Sequence, residues 1–575
     1  MSLLFITATA AMIFLLAYRF YGGFLAKKVF CLDDARSTPA VLLQDGLDYE
    51  PTAAGYLLGQ HFSAIAAAGP ITGPILACLM FGWAPALVWI VLGAVFVGGV
   101  HDMGALIASV RHQGHSITEV VRRNVSQRAW LAFMVFIWIT LVYIIVAFTD
   151  ITSSSFIGTI TLENGDKVGG GAIATSSLLY MLLPVLMGLL LRFTKLSLTW
   201  ATLIFLPLLG LAIWAGPLLP FDLGALLGTS QARAQKLWNV LILAYCLAAA
   251  VAPVWALLQP RGHLGGWFLY LSLAASLIGI LCGGFTVQYP AFTQPLEGGL
   301  EGFLFPMFPV LFITVACGAC SGFHSLVSSG TSSKQLRTES DAKLVGYGAM
   351  LLESLVAVAA LGTVMILSKN DALAGKAPNF IYASGIGRFL ELIGIPASFG
   401  ISFGLMAFTT FVYDTLDICT RLGRYIIEEL TGWRSKAGRL FATALTAGVP
   451  LLFVTMTALD AHGHPAPAWK VFWNVFGASN QLLAGLSLLG VSVWVFSTSH
   501  GKSKVWLVPF LPAVWMFAMS GWAILCILRA AWWQGGQLAL TAAPVPWVCL
   551  LLLLLSLMLA VEIGKVLRKR TPEQA

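Results

Sequence analysis

Stretches of mostly apolar residues, each about 17 to 25 long, recur along this sequence and leave the chain few ways to fold. Such a stretch wound into a helix matches the hydrocarbon thickness of a bilayer. In lipid, only helices and closed barrels satisfy every backbone group. Spans are expected near 3–24, 62–80, 84–109, 129–148, 176–192, 197–217, 238–258, 267–285, 306–328, 344–368, 397–419, 440–458, 472–496, 505–530 and 545–563, about fifteen in all. The run from 386 to 400, interrupted by Gly394 and Pro396, reads as a short interfacial helix. Only 10% of the residues are charged and 58% are hydrophobic, with a mean hydropathy of +0.86. Soluble domains carry roughly a quarter charged residues. The fold class is therefore an all-α polytopic membrane protein in a lipid bilayer. Its first span lacks a basic start and a cleavage site, so it reads as retained rather than as a signal peptide.

Lys and Arg collect in cytoplasmic loops, and their distribution gives the spans a direction. With the N-terminus outside, the inside loops hold most of the 33. Examples are Lys27 and Lys28, Arg122 and Arg123, Lys334 and Arg337, Arg434 to Arg439, Lys502 and Lys504, and Lys565 to Arg570. Arg261 falls in an inside loop on this reading. The topology is N-terminus outside and C-terminus cytoplasmic. The net charge of +8 is thereby topological and implies no nucleic-acid partner. The nine cysteines lie mostly in apolar segments, as packed thiols do. The longest connections, 25–61 and 149–175, are too short for an independent domain. No phosphate-binding loop of the G-x-x-x-x-G-K-[ST] form occurs, so an ion gradient is the expected driving force and no cofactor is implied.

Ionisable residues inside spans are costly and read first as functional. His101 and Asp102 lie late in the third span and Glu353 in the tenth. Asp414 and Asp417 lie in the eleventh. Asp417 stands four residues before Arg421, the spacing of a local ion pair. Asp414 is deeper and faces about 60° away, which makes it the better candidate for ion coupling. Asp102 and Glu353 carry either a coupling role or a structural bond to a neighbouring helix. Thr409 and Thr410 offer hydroxyls suited to Na⁺ or to their own helix backbone. In the thirteenth span Asn480 and Gln481 suit either substrate contact or bridging between helices.

Two spans contain residues that break helices. HFSAIAAAGPITGP, residues 61–74, carries Gly69-Pro70 and Gly73-Pro74, and proline both lacks a donor and clashes with the preceding turn. The ninth span has Gly318, Ala319, Cys320, Ser321 and Gly322 in a row. With the assigned topology these two spans run in opposite directions. Paired, oppositely oriented discontinuous helices mark the binding site of a secondary transporter. Cys317, Cys320 and His324, spaced three and four apart, would share a helix face and raise a zinc site. The competing readings are close helix packing and, for His324, proton transfer or substrate hydrogen bonding.

HFSAIAAAGPITGP, GVHDMG, ACGACSGFHSLVSSGTSSKQ, DICTRLGR and FGASNQLLAGL together resemble the carbon starvation protein A family of bacterial inner-membrane transporters. The resemblance runs over nearly the whole chain. It implies a transporter of peptides or pyruvate used when carbon is short, with proton-coupled uptake in the pyruvate members. It also implies kinship with the amino acid–polyamine–organocation superfamily, whose core is two inverted repeats with unwound first and sixth helices. Those would be the second and ninth spans here. Residues 1–375 would form the transporter core, 390–563 a C-terminal five-helix segment and 564–575 a basic cytoplasmic tail.

The expected substrate site is therefore Ser63, Gly69, Thr72 and Gly73 on one broken helix, with Ser321 and His324 opposite and Asn480 and Gln481 nearby. The amides around Gly69, Thr72 and Gly73 would face a carboxylate. Ion coupling falls to His101, Asp102, Glu353, Thr409, Thr410 and Asp414, with H⁺ favoured over Na⁺. A membrane-embedded metal enzyme would have to rely on Cys317, Cys320 and His324. A channel or sensor fits two opposed helix breaks less well than alternating access does.

Overall fold

The computed structural model describes residues 2–45, 49–161, 167–253, 255–293, 307–433, 435–458, 465–499, 503–534, 537–538, 540 and 544–570. Arg434, Lys502, residue 306 of the ninth span and residues 571–575 of the basic tail lie outside these. The described chain is a bundle of long apolar helices with two small hairpins, β1 (Thr159–Thr161) with β2 (Lys167–Gly169) and β3 (Trp533–Gln534) with β4 (Gln537–Leu538).

Among the described residues thirteen helices are long and apolar enough to cross a membrane, and one further pair forms a bent span. In chain order the elements are α1 (Leu3–Val29), the bent pair α2 (Ala54–Ile65) and α3 (Gly69–Phe81), α4 (Trp83–Val110) and α5 (Gln127–Ile157). Next come α6 (Gly170–Phe193), α7 (Leu198–Leu218), α8 (Gln231–Val251) and α9 (Leu258–Gly283). Two short helices follow, α10 (Met307–Thr314) and α11 (Phe323–Gly330). The rest are α12 (Lys343–Met365), α13 (Pro378–Glu391), α14 (Ala397–Thr431), α15 (Lys436–Thr455), α16 (Ala468–Thr498), α17 (Lys504–Trp532) and α18 (Pro544–Arg570). Each expected span has a counterpart, so the chain is a multi-pass membrane protein.

Burial sorts the helices into layers. α14 and α16 are enclosed along nearly their whole length, whereas α7, α15, α17 and α18 expose Leu, Trp and Phe on one side. Lipid accepts such apolar side chains, while the polar backbone of every spanning helix is paired within the helix itself. The run expected as an interfacial helix instead starts earlier, at Pro378. As α13 it is buried against α14 over most of its length. Proline at the first helical position costs no hydrogen bond and sets the start of that helix.

The first helix break lies upstream of where the Gly-Pro pairs suggest. α2 ends at Ile65, Ala66 has a non-helical ψ of 79°, and α3 begins at Gly69 with Pro70 in its first turn. Pro70 has no N–H for the carbonyl of Ala66, four residues back, and its ring collides with that carbonyl. The chain therefore turns at 66–68, by 49°, and Pro70 then starts a new helix. The second break falls where the small residues lie: 315–322 is unwound between α10 and α11.

Candidate functional site

The two broken segments pack against each other in opposite directions. α2 touches α11, and α3 touches α10, so the first half of each meets the second half of the other. Gly69 and Gly73 serve this approach. A Cβ on Gly73 would lie 2.6 Å from the carbonyl oxygen of Thr314, and one on Gly69 would run into Cys317. The Thr72 amide is spent on the carbonyl of Ala68 at 2.8 Å. The first turn of α3 thus holds the partner segment, while the Thr72 hydroxyl is buried without a hydrogen-bond partner among the described residues.

Helix α16 supplies what the unwound backbone lacks. Asn480 Oδ1 accepts from the Phe323 amide at 2.9 Å, capping α11, and Asn480 Nδ2 donates to Ser321 Oγ at 2.9 Å. The Asn480 carbonyl accepts from the Gly322 amide at 3.1 Å. Gln481 Nε2 and Trp89 Nε1 both donate to the Val315 carbonyl, at 3.3 and 3.1 Å. Of the two roles open to Asn480 and Gln481, the structure displays bridging. Because 315–322 is not helical, Cys317, Cys320 and His324 do not share a helix face. Cys317 lies beside Ser321 and Asn480, and His324 turns to two carboxylates instead. Among the described residues no group of three or more His, Cys, Asp and Glu is arranged to hold a metal.

His324, at the start of α11, joins α4 to α12. Its Nδ1 lies 2.8 Å from Asp102 Oδ2, and its Nε2 lies 3.2 Å from Glu353 Oε2. Asp102 Oδ1 is 2.7 Å from His101 Nδ1. None of these four side chains is exposed. The Nε2–Glu353 approach has ion-pair distance without hydrogen-bond alignment, and both Glu353 oxygens are unpartnered among the described residues. The helices that carry the acids are locally widened. A π-turn at Ala94–Gly98 precedes Asp102 and another at Lys343–Gly348 precedes Glu353, and Tyr347 Oη donates to the Val95 carbonyl at 3.2 Å. Such π-turns occur often at functional sites. The arrangement is a buried row of titratable groups ending at the second break, suited to holding and passing a proton.

A second buried cluster centres on Arg261, which lies inside α9 and is 1% exposed. Its expected place was a loop. Helix α9 starts nine residues before the apolar run, so Arg261 enters the bundle and faces Asp414 and Asp417 of α14. Arg261 Nε lies 2.8 Å from Asp414 Oδ1, and its Nη1 pairs with Asp417 and Tyr245. Ser63 of α2 donates to Asp414 Oδ2 at 2.8 Å, and Tyr245 of α8 donates to Asp417 Oδ2 at 2.9 Å. The expected Asp417–Arg421 pair is replaced. Arg421 donates to the carbonyls of Ala249 and Ala252, at 2.8 and 2.9 Å. Those carbonyls end α8 without helical donors, and a cation is favoured there. The sequence signal for Arg261 was the pair of acids itself, since buried carboxylates three apart on one helix require a cation from another.

A cavity of about 350 Å³ reaches this cluster. Ser63, His61, Asp414, Ser332 and Gln259 line it, with Glu50 and Lys334 also in its wall. His61 Nδ1 is 2.7 Å from Ser332 Oγ, tying α2 to the segment after α11. Thr409 lies apart from the breaks, its hydroxyl bonded to the Met406 carbonyl at 3.0 Å and 3.1 Å from Ser177 Oγ. The neighbouring Thr410 hydroxyl has no partner among the described residues.

Two antiparallel broken helices, a cavity beside them and buried ionisable groups at their junction define a membrane transport protein. The chain belongs to the carbon starvation protein CstA family, whose family model matches residues 2–381 and 368–523. The peptide transporter CstA of Helicobacter pylori is 32% identical to it, over 90% of this chain and 81% of that one. The pyruvate/proton symporter BtsT of Escherichia coli K12 is 29% identical, over 91% of this chain and 81% of its own length. The solved structure of MhsT in complex with L-phenylalanine covers 84% of this chain and 98% of its own, at 12% identity and a TM-score of 0.48.

Proposed function

We propose that this protein is a secondary active importer of small carboxylates, peptides or pyruvate, driven by protons across a bacterial inner membrane. The observation that carries the reading is the meeting of His324 with Asp102 and Glu353 beside two oppositely running broken helices. Relatives named as a peptide transporter and as a pyruvate/proton symporter support both the substrate class and the coupling ion. In this reading the N-terminus is outside and the C-terminus cytoplasmic, so the cavity walled by Glu50 and Lys334 opens to the cytoplasm. Protonation of a buried row of acids and histidines neutralises charge that alternating access would otherwise carry through the bilayer. The two broken helices rock about their glycine contact, as repeats do in secondary transporters.

Uptake of labelled pyruvate, dipeptide and tripeptide into proteoliposomes, with and without an inward proton gradient, tests this. One substrate is expected to accumulate above its external concentration only when the gradient is present. Equal uptake with and without the gradient would rule out proton coupling.

A further inference from the structure

The Arg261 cluster holds one guanidinium against two carboxylates, and those two are not equivalent. Asp417 is held by Arg261 and by the Tyr245 hydroxyl, and neither it nor Arg261 lines the cavity, which reaches Arg261 only through Asp414. Asp414 does line the cavity, held only by Ser63 Oγ at 2.8 Å and by its 2.8 Å approach to Arg261 Nε. That approach is misaligned for hydrogen bonding. Nε and Nη2 of Arg261, in a side chain 1% exposed, therefore make no well-aligned hydrogen bond among the described residues, although Asp414 and Tyr180 lie beside them. A buried guanidinium with two poorly aligned donors is costly, and a planar carboxylate matches its fork in bidentate fashion.

Other ionisable groups facing Asp414 come from every element packed around it. They are Tyr180 of α6, Tyr245 of α8, Arg261 of α9, Tyr413 and Asp417 of α14, and Glu50, His61, Lys334, Arg421 and Tyr425 in the cavity wall. Arg261 and Arg421 both keep a donor without an aligned acceptor among the described residues. Arg421 Nη2 is committed to helix-end carbonyls, and Arg261 is the one that pairs with Asp414. Gly265, one turn along α9 from Arg261, leaves the notch in which the Asp414 carboxylate sits.

We propose that Arg261 is a binding site for the substrate carboxylate, held by Asp414 in this structure and exchanged when Asp414 takes up a proton. The charge balance is simple. Asp414 and Asp417 against Arg261 leave one net negative charge. Protonating Asp414 and bringing in a carboxylate leaves the same charge, so one proton accompanies each carboxylate. Loss of that proton to the cavity restores the Asp414–Arg261 pair and displaces the substrate. This inference rests on the transport reading above.

The experiment uses the full chain in proteoliposomes and measures exchange of internal for external substrate, with acids and their carboxamides as competitors. The pairs are pyruvate with pyruvamide, and dialanine with dialanine amide. Wild type is expected to prefer the acid roughly 10- to 100-fold, the range for a hydrogen bond to a charged group. Arg261→Gln brings that ratio to within about threefold of unity, and Arg261→Lys leaves it in between, because Lys keeps the charge but not the fork. Asp414→Asn binds the acid at pH 8 as tightly as wild type does at pH 6, and no longer accumulates it on a proton gradient. An undiminished acid preference in Arg261→Gln overturns the site, as does an Asp414→Asn variant that binds the acid more weakly at every pH. Should Arg261→Gln prove aggregated by size exclusion, Asp414→Asn decides alone. Wild type that exchanges neither substrate removes the transport reading and this site with it. Wild-type exchange with an acid preference independent of Arg261 removes only the site.

Discussion

His324 and Asp102 lie on different helices, 222 residues apart in sequence, with Nδ1 and Oδ2 at 2.8 Å and neither side chain exposed. An ionisable pair so enclosed is sustained by mutual neutralisation, and a change in its proton count is felt directly as a change in buried charge. Because His324 opens α11 at the edge of the unwound segment, that change acts where the helix is already discontinuous. His324→Gln and Glu353→Gln are expected to cut gradient-driven accumulation at least tenfold. Exchange of internal for external substrate should stay within about threefold of wild type, since exchange needs no net proton movement. Equal loss of both activities would show that His324 serves folding or substrate contact rather than coupling. In these variants the preference for acid over carboxamide should remain, which separates their role from that of Arg261.

Asn480 carries four contacts to the second break: the Phe323 amide, the Ser321 hydroxyl, the Cys317 thiol and, through its own carbonyl, the Gly322 amide. Asn480→Ala removes the three made by its side chain and strands a buried amide at about 1–3 kcal/mol. A lower thermal denaturation midpoint in detergent is expected, with weaker substrate binding following from a displaced α11. Asn480→Asp keeps the acceptor for Phe323 and should recover part of the stability. Full stability in Asn480→Ala would mean that the break is held from elsewhere.

Much of this arrangement is readable in the sequence, for reasons that differ between elements. Apolar length alone locates the spans, because bilayer thickness is a fixed ruler. The run Gly318 to Gly322 marks the second break directly, since five small residues offer a helix little side-chain packing to hold it wound. The first break is displaced from its signal because proline acts on the residue four before it. Pro70 therefore marks Ala66, and the Gly-Pro pairs themselves start α3 and admit the partner segment. Asp102, His324 and Glu353 each stand out as ionisable groups in apolar runs, yet their convergence depends on how α4, α11 and α12 pack. Arg261 is the residue least visible in advance. It precedes an apolar run rather than interrupting it, and charge counting assigns such a residue to a loop. Asp150 is hidden in the same way. Helix α5 continues past the apolar run, and the Asp150 carboxylate there accepts from the Trp469 amide at 2.9 Å and from Asn239 Nδ2 at 3.1 Å.

Gly73 offers a steric test of the contact between the broken segments. A methyl group at this position would meet the Thr314 carbonyl oxygen at 2.6 Å and the Val315 Cα at 3.3 Å, and backbone atoms cannot give way as a flexible side chain does. Overpacking of this kind costs about 1–3 kcal/mol. Gly73→Ala is expected to lower the thermal midpoint moderately and, on the proposed rocking about this contact, to reduce transport turnover more than tenfold. Gly55→Ala, where a Cβ meets nothing within 4 Å, serves as the control and should leave both quantities near wild type. If Gly73→Ala destabilises the protein yet turns over normally, the contact is static and the rocking motion lies elsewhere.

The direction of the spans yields a prediction independent of transport. Lys334 and Glu50 belong to the cavity wall, and the Lys and Arg distribution assigns both to the cytoplasmic side. A fluorescent reporter that folds only in the cytoplasm should therefore be active when fused after residue 575. A phosphatase that folds only outside should be inactive at the same position and active in the 149–175 connection. The membrane-impermeant thiol reagent used from outside should fail to modify Lys334→Cys in intact cells and succeed in inverted vesicles, in a background where the exposed Cys31 and Cys282 are replaced by Ser. An active phosphatase at the C-terminus would reverse the topology. The 350 Å³ cavity would then be the entrance for an imported substrate rather than its exit, and proton loss from Asp414 would no longer be the step that releases it.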